Sequence, residues 1–297
     1  MWFVYLLAFV VLFVLCVPFR IAVLNPLKVL FYVPYDIAMA LLHKPWRLMD
    51  TGKLNCYMAH FGGGKTLSMA HYATYLFDKY NNKEVWDRGR KCFVTQKVHI
   101  ISNFELKHVP FEPLQSLSQV VCCGYRNKDI DEKNGTRTVV LVLIDEASVQ
   151  LNSRNFKTNI DALFLNTLLT CRHYHISMWY SSQKFKLTDA LLRSVTQRCV
   201  ECQKIWRFMV QREYDADEIE YASNPTMVKP RRRYGFFVTN KDFASYDTFA
   251  CVDNLKKSVD AGDMLSEKEI LEMRGELNPD NDAVTHRSLK HKLRKRR

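Results

Sequence analysis

Apolar residues fall along this chain in runs of different length, and each length predicts a different element. Met1 to Phe19 carries no charged residue and is dominated by Leu, Val and Phe. As a helix this segment would extend ~28 Å against a hydrocarbon core of ~30 Å, so the pattern predicts an N-terminal transmembrane helix over 1–19. Short apolar runs at Leu54–Met58, Thr138–Ile144 and Ile176–Tyr180 are too brief for ordinary helices and predict strands, the second buried on both faces. Between the first two, Leu67, Ala70, Ala73, Leu76 and Phe77 recur at helical spacing and predict a helix over 66–80. Further strands are expected near 91–102 and between 197 and 210, with helices near 160–171 and 187–195. Strands alternating with helices predict an α/β domain, a mainly parallel sheet covered on both faces.

Other stretches lack such a pattern. Residues 20–50 are apolar and aromatic but interrupted by Pro26, Pro34 and Pro45, and they read as a membrane-proximal linker, with a re-entrant or interfacial segment left open. Residues 124–137, with Gly124, Asn127, Asn134 and Gly135, read as a polar loop suited to a hairpin or an intersubunit contact. The expected organisation is a span at 1–19, a linker at 20–50, one α/β domain at 51–212, an extension of undefined fold at 213–280, and a basic, disordered tail at 281–297.

The loop between the first strand and helix carries the candidate chemistry. Ala59-His60-Phe61-Gly62-Gly63-Gly64-Lys65-Thr66 has the spacing of the phosphate loop G-x-x-x-x-G-K-[ST], with Ala59 in place of the first Gly. In that pattern the glycines turn backbone N–H groups around the phosphates, the Lys reaches the terminal phosphate and the hydroxyl holds Mg²⁺. The first position needs a small residue more than it needs glycine, so Ala59 weakens the match only modestly. Ala59, Gly62, Gly63, Gly64, Lys65, Thr66 and Leu67 therefore form the candidate nucleotide-binding set, with ATP the expected ligand.

The strand 138–144 ends in Asp145-Glu146. Acidic residues at the carboxyl end of such a strand lie in the crevice where open α/β sheets bind ligands. Asp145 is the candidate Mg²⁺ ligand with Thr66, and Glu146 the candidate group for orienting the attacking water. The alternative is that the pair merely caps a following helix. The strand 176–180 runs into Ser181-Ser182-Gln183, and Gln183 is the candidate γ-phosphate sensor, against a solvated turn amide. Arg172 is a candidate arginine finger, in its own subunit or a neighbour, with Arg193 and Arg198 as competitors.

Taken together, Gly62-Gly63-Gly64-Lys65-Thr66-Leu67, Ile101-Ser102-Asn103-Phe104, Leu143-Ile144-Asp145-Glu146-Ala147, Cys171-Arg172-His173-Tyr174 and Ser181-Ser182-Gln183 resemble the zonula occludens toxin-like family. These are filamentous-phage morphogenesis ATPases related to the FtsK/HerA group of DNA-pumping motors. The resemblance covers about residues 52–210. It implies a P-loop NTPase fold, nucleotide binding at Gly62 to Thr66, Mg²⁺ and water handling at Asp145 and Glu146, a sensor role for Gln183, and a ring oligomer. It also implies that phage DNA, single-stranded in such phages, is extruded or packaged at the host membrane, with coat or secretion-channel proteins as further partners. One departure is large: the apolar segment stands at the start of the chain, whereas in the family a single span follows the ATPase domain.

Charge and cysteine usage refine this expectation. Arg20, Lys28, Lys44 and Arg47 follow the apolar segment while nothing basic precedes it, which places the ATPase domain in the cytoplasm below a single-pass anchor in the host inner membrane. A cleavable signal peptide would carry a basic leading region and a small-residue cleavage site, and neither is present. The net charge of +12 is concentrated at 287–297 and again at Lys229-Pro230-Arg231-Arg232-Arg233-Tyr234, which reads as a loop. Both suit nucleic acid, and the tail suits anionic lipid equally. Nine cysteines in a cytoplasmic setting are expected to be reduced, and Cys199-Val200-Glu201-Cys202 is weak as a zinc motif because it reads as a strand entering the core. His60 and His173 read as structural.

The reading that follows is a membrane-anchored ATPase acting on DNA in virion assembly. Its rivals are a nucleotide-switched assembly scaffold without DNA translocation, a membrane-targeted toxin or pore, and a small-molecule kinase.

Overall fold

The computed structural model describes residues 2–115, 117–147, 171–224 and 227–247. Its chain divides into two compact units: Met1–Leu48 with Val85–Phe93, and a larger one of Met49–Glu84 with the described chain from Val94 onward.

In the first unit the N-terminal segment is helical but broken. Helix α1 (Trp2–Leu15) ends at Cys16, which adopts extended angles, and α2 (Val17–Leu24) begins there with Pro18 in its first turn. Pro18 has no N–H to donate back into α1 and its ring crowds the preceding carbonyl, so a straight helix over 1–19 does not form. No single described helix is long and apolar enough to cross a membrane; α1 and α2 together pass on length and composition, bent by 106°. The expected linker is also helical. Pro26 opens α3 (Pro26–His43), and Pro34 is accommodated inside it. Pro is well suited to a first helical turn, where the missing N–H has no partner in any case. None of α1, α2 or α3 buries a residue.

The larger unit is mixed α/β, a mostly parallel central sheet flanked by helices. The strands of the chain are β1 (Leu54–Met58), β2 (Lys83–Asp87), β3 (Cys92–Ser102), β4 (Glu105–Leu106), β5 (Glu112–Pro113), β6 (Thr136–Ile144), β7 (Ile176–Ser182), β8 (Arg198–Ile205), β9 (Phe208–Asp215), β10 (Arg232–Phe237) and β11 (Tyr246–Asp247); most of β2 and the first residues of β3 fall in the first unit. The main sheet has the order β10-β9-β8-β1-β7-β6-β3-β2, with β5 beside β3, and a small second sheet pairs β11 with β4. Strands β8, β1, β7, β6, β3 and β5 are parallel, while β9 and β10 add antiparallel. The sheet thus continues beyond residue 212, and Arg232 to Tyr234, expected in a loop, lie on its edge strand.

Alternation along the strands divides the core in two. One layer sets Leu141, Leu143, Tyr57 and Trp179 against Leu67, Ala70 and Ala73 of α4 (Lys65–Tyr80). The other sets Cys56, Val140, Val142, Met178 and Tyr180 against Val120 and Val121 of α5 (Leu117–Asn134). Helix α5 replaces the polar loop expected at 124–137. The helix is amphipathic: Val120, Val121 and Tyr125 pack on the core, most of its polar residues face solvent, and the buried Asp131 accepts from Thr136 and Thr138 of β6. Helices α6 (Ala190–Val195) and α7 (Ala216–Tyr221) add Leu192, Ala216 and Ile219 to that second layer. The short α8 (Asn240–Phe243) begins in a capping box between Thr239 and Asp242. The helix expected near 160–171, most of the extension to 280 and the basic tail lie outside the described residues.

Candidate nucleotide site

Strand β1, central in the sheet, ends at Met58, and the chain turns at once into Ala59–Gly64 before entering α4. Two turn positions require glycine. Gly62 and Gly64 have φ of 71° and 89°, the left-handed region that L side chains rarely enter. A Cβ at Gly64 would also lie 2.2 Å from Met209 Cε, the flexible end of a side chain that would have to move aside. A Cβ at Gly63 would lie 2.5 Å from Ala59 Cβ, so Gly63 and a small residue at 59 are required together. A Cβ on Gly62, by contrast, meets nothing within 4 Å, which leaves open space above the loop. The Lys65 side chain folds back and its Nζ donates to the carbonyls of Ala59 at 3.2 Å and His60 at 3.5 Å. Leu67 is buried in the same core layer as Ala59.

The acidic strand meets this loop. Thr66 Oγ1 donates to Asp145 Oδ2 at 2.6 Å, across 79 residues of sequence. Three further groups orient Asp145. Asn103, itself buried, accepts from the Asp145 N–H at 2.7 Å and donates to the Asp145 carbonyl at 3.0 Å, so its amide continues the β3–β6 ladder for one more rung. Ser181 Oγ donates to Asp145 Oδ1 from the neighbouring strand β7. The Glu146 N–H donates to Ser181 Oγ at 2.8 Å and to Asp145 Oδ1 at 3.1 Å. Glu146 is thereby held at φ 51°, a costly conformation for a non-glycine residue, with its side chain exposed.

The sequence pattern assigns no role to Asn103 or Ser181, although both stand in segments that carry the family resemblance. The readable signal is a polar residue directly after an apolar strand, at the end of the sheet where Asp145 lies.

Gln183 follows β7 at that same end. It is half-buried and lines a cavity of about 640 Å³ that also involves Ala59, His60, Phe185, Glu201 and Arg212. Arg172 is placed elsewhere. Its Cβ would sit 2.6 Å from a Cβ on Gly52, which precedes β1, so it lies at the opposite end of the strands from the phosphate loop, about 20 Å away at ~3.3 Å per residue. Arg198 opens β8 at that same far end and pairs with Glu213 at 3.1 Å, while Arg193 pairs with Glu220 at 2.9 Å.

These features make one assembly: a glycine turn with open space above it, a lysine ammonium held on loop carbonyls, and a hydroxyl and a carboxylate in contact. The arrangement is a candidate phosphate-binding site. No family model matches the chain, and no curated protein matches it in sequence. Its fold is similar to that of the N-terminal domain of zonular occludens toxin from Neisseria meningitidis, at 15% identity and a TM-score of 0.39, covering 67% of this chain and 100% of that one. It is similar to the genome packaging NTPase B204 from Sulfolobus turreted icosahedral virus 2 in complex with ATP-gammaS, at 10% identity and a TM-score of 0.39, covering 64% and 100%. A third likeness is to Thermomonospora curvata EccC, ATPases 2 and 3 in complex with a signal sequence peptide, at 12% identity and a TM-score of 0.39. It covers 75% of this chain and 42% of that one.

The residues present fit Mg²⁺ and a polyphosphate. Thr66 and Asp145 are hard oxygen donors at one point, as Mg²⁺ prefers, and the space above Gly62 admits phosphate where a side chain would otherwise stand. Cys199 and Cys202 do not form a metal site. Three residues apart on a strand, they face opposite layers of the core, and burial pushes the Cys202 thiol up to about 12, with Cys199 raised as well. Among the described residues no group of three or more His, Cys, Asp and Glu is arranged around a common point to hold a metal ion.

Proposed function

We propose that this protein is a Mg²⁺-dependent ATPase that works on phage DNA, extruding or packaging it during virion assembly. The observation that carries the reading is the 2.6 Å bond from Thr66 to Asp145, which joins the phosphate loop to the acidic strand at a single point. Bound Mg²⁺ would supply charge neutralisation at the phosphates, and Thr66 and Asp145 are the residues that would hold it. Lys65 exchanges the carbonyls of Ala59 and His60 for γ-phosphate oxygens. Glu146, exposed and fixed by its own N–H, orients the attacking water and takes up its proton. Gln183 senses the γ-phosphate.

Arg172 lies too far from the loop to serve its own subunit, so as an arginine finger it would complete a neighbour's site in a homo-oligomeric ring. The three N-terminal helices expose Phe3, Leu7, Leu27, Leu30 and Phe31, and a bilayer would cover them. This supports anchoring at the host inner membrane, with the ATPase domain in the cytoplasm. Single-stranded phage DNA is the expected substrate, and coat or secretion-channel proteins are the expected further partners.

The test is ATP hydrolysis by the full chain in detergent, with single-stranded DNA, with duplex DNA and with none, alongside Glu146→Gln. Hydrolysis stimulated by DNA, and lost by at least about a hundredfold in the variant with ATP binding retained, is the expected result. Nucleotide binding without turnover under any DNA condition would identify a nucleotide-switched scaffold.

A further inference from the structure

The antiparallel end of the sheet is built unlike the rest of it. Strands β8 and β9 are joined by only two residues, Trp206 and Arg207, because Ile205 pairs directly with Phe208. Two-residue hairpins favour Gly, Asn or Asp at positions of positive φ, yet Trp206 occupies one at φ 56°. A large aromatic ring at this position is unfavourable for the turn and is 71% exposed. It stands with Phe208 and Phe237, which pair across β9 and β10, in a triangle of rings 5.6 to 6.0 Å apart. Both phenylalanines are about half exposed. Ring pairs across antiparallel strands stabilise a hairpin, but these three also leave a broad aromatic surface open to solvent beside a costly turn.

Further along the same face, Arg212 and Arg233 stand opposite each other on β9 and β10. Arg212 is already oriented by Glu201 at 3.3 Å and Gln203 at 3.2 Å, and Arg233 is exposed. Rings beside guanidinium groups on an open sheet face match the two needs of unpaired nucleic acid, a stacking surface for bases and cations for phosphates. Two guanidinium groups side by side on this face favour a polyanion as its occupant.

The hairpin's other face touches the nucleotide site. Met209 and Lys204 are the neighbours that a Cβ on Gly64 would meet, at 2.2 Å and 3.7 Å from it. One hairpin therefore offers rings to solvent on one side and rests on the phosphate loop on the other. We propose that the open face of β8, β9 and β10 is a binding surface for single-stranded DNA, with bases stacked on Trp206, Phe208 and Phe237 and phosphates held by Arg212 and Arg233. The proposal rests on the DNA-acting reading above and names the surface through which DNA would reach the loop.

The test uses full chain in detergent and a fluorescein-labelled oligothymidylate of about 30 nucleotides, compared with an abasic strand of equal length, followed by anisotropy. Trp206→Gly relieves the turn, so its fold is retained, and Phe208→Ala with Phe237→Ala removes the other rings. Each variant should bind oligothymidylate at least about tenfold more weakly, should bind the abasic strand as the parent does, and should keep basal ATP hydrolysis while losing its stimulation by DNA. Arg233→Gln should weaken both strands and flatten the salt dependence. Variants that bind oligothymidylate like the parent overturn the surface while leaving the DNA motor intact. A parent chain that binds no DNA overturns both, and loss of oligomerisation in the ring variants, with DNA affinity unchanged, makes the face a subunit interface.

Discussion

Asp145 is held by four residues: Thr66 donates to Oδ2, Ser181 and the Glu146 N–H both donate to Oδ1, and Asn103 bonds its backbone. Only the first of these belongs to the phosphate loop, so the rest can be removed without touching it. Ser181→Ala deletes one donor to Asp145 and the nearer of the two acceptors of the Glu146 N–H together. Both acidic residues then lose a positioning contact while Lys65 and the loop keep theirs. We expect kcat to fall about tenfold or more with little change in ATP affinity, measured by steady-state hydrolysis and nucleotide titration. A fall in affinity equal to that in kcat would mean that Ser181 shapes the loop instead. At this scale the sequence exposed Lys65, Thr66, Asp145 and Glu146 through spacing and strand ends. Asn103 and Ser181 were opaque because each acts through a neighbour in space that is about forty residues away in the chain, 42 and 35 by the bonds they make.

At the scale of elements, the β8–β9 hairpin separates two cysteines that the sequence sets close together. Cys199 belongs to the layer under α5 and Cys202 to the layer under α4. Burial raises both thiols, Cys202 to about 12, so a thiolate forms more readily in the unfolded chain, where it ionises at about 9. The stability that these buried thiols contribute is therefore complete below pH ~9 and is lost as pH rises from there toward 12. At pH 8 a thiol reagent should label the exposed Cys92 quickly, and Cys199 and Cys202 only as fast as the protein unfolds, as read by mass spectrometry after timed quenching. Rapid native labelling of Cys202 would show that the strand is not packed as described. Helix α5 carries the opposite lesson. Its sequence from Gly124 reads as loop, yet Val120 and Val121 lock its first turns onto the sheet, and a helix anchored there can continue through polar residues.

For the whole molecule, the N-terminal helices and the sheet set different physical demands. Helices α1 to α3 bury no residue within the described structure, and their apolar surface must be covered by lipid, detergent or another protein. We expect the full chain to float with liposomes in a density gradient and to resist extraction by high salt and by alkaline carbonate, both of which release peripheral proteins. Release by carbonate would assign α1 and α2 to the bilayer surface, where the 106° bend could be accommodated without a span.

The sequence by itself determined the local and the covalent: a phosphate loop between a strand and a helix, acidic residues at a strand end, and an apolar N-terminal segment. Each is written in consecutive residues, and its physical cause, backbone freedom at glycine or transfer of apolar side chains from water, acts within one element. Only the tertiary structure decided what depends on distance between elements. It set β7 between β1 and β6, and so brought Ser181 to Asp145. It sent Arg172 to the far end of the strands, and it laid the β8–β9 hairpin on Gly64. Those contacts follow from strand order and register, which the packing of both sheet faces fixes at once and no single segment specifies.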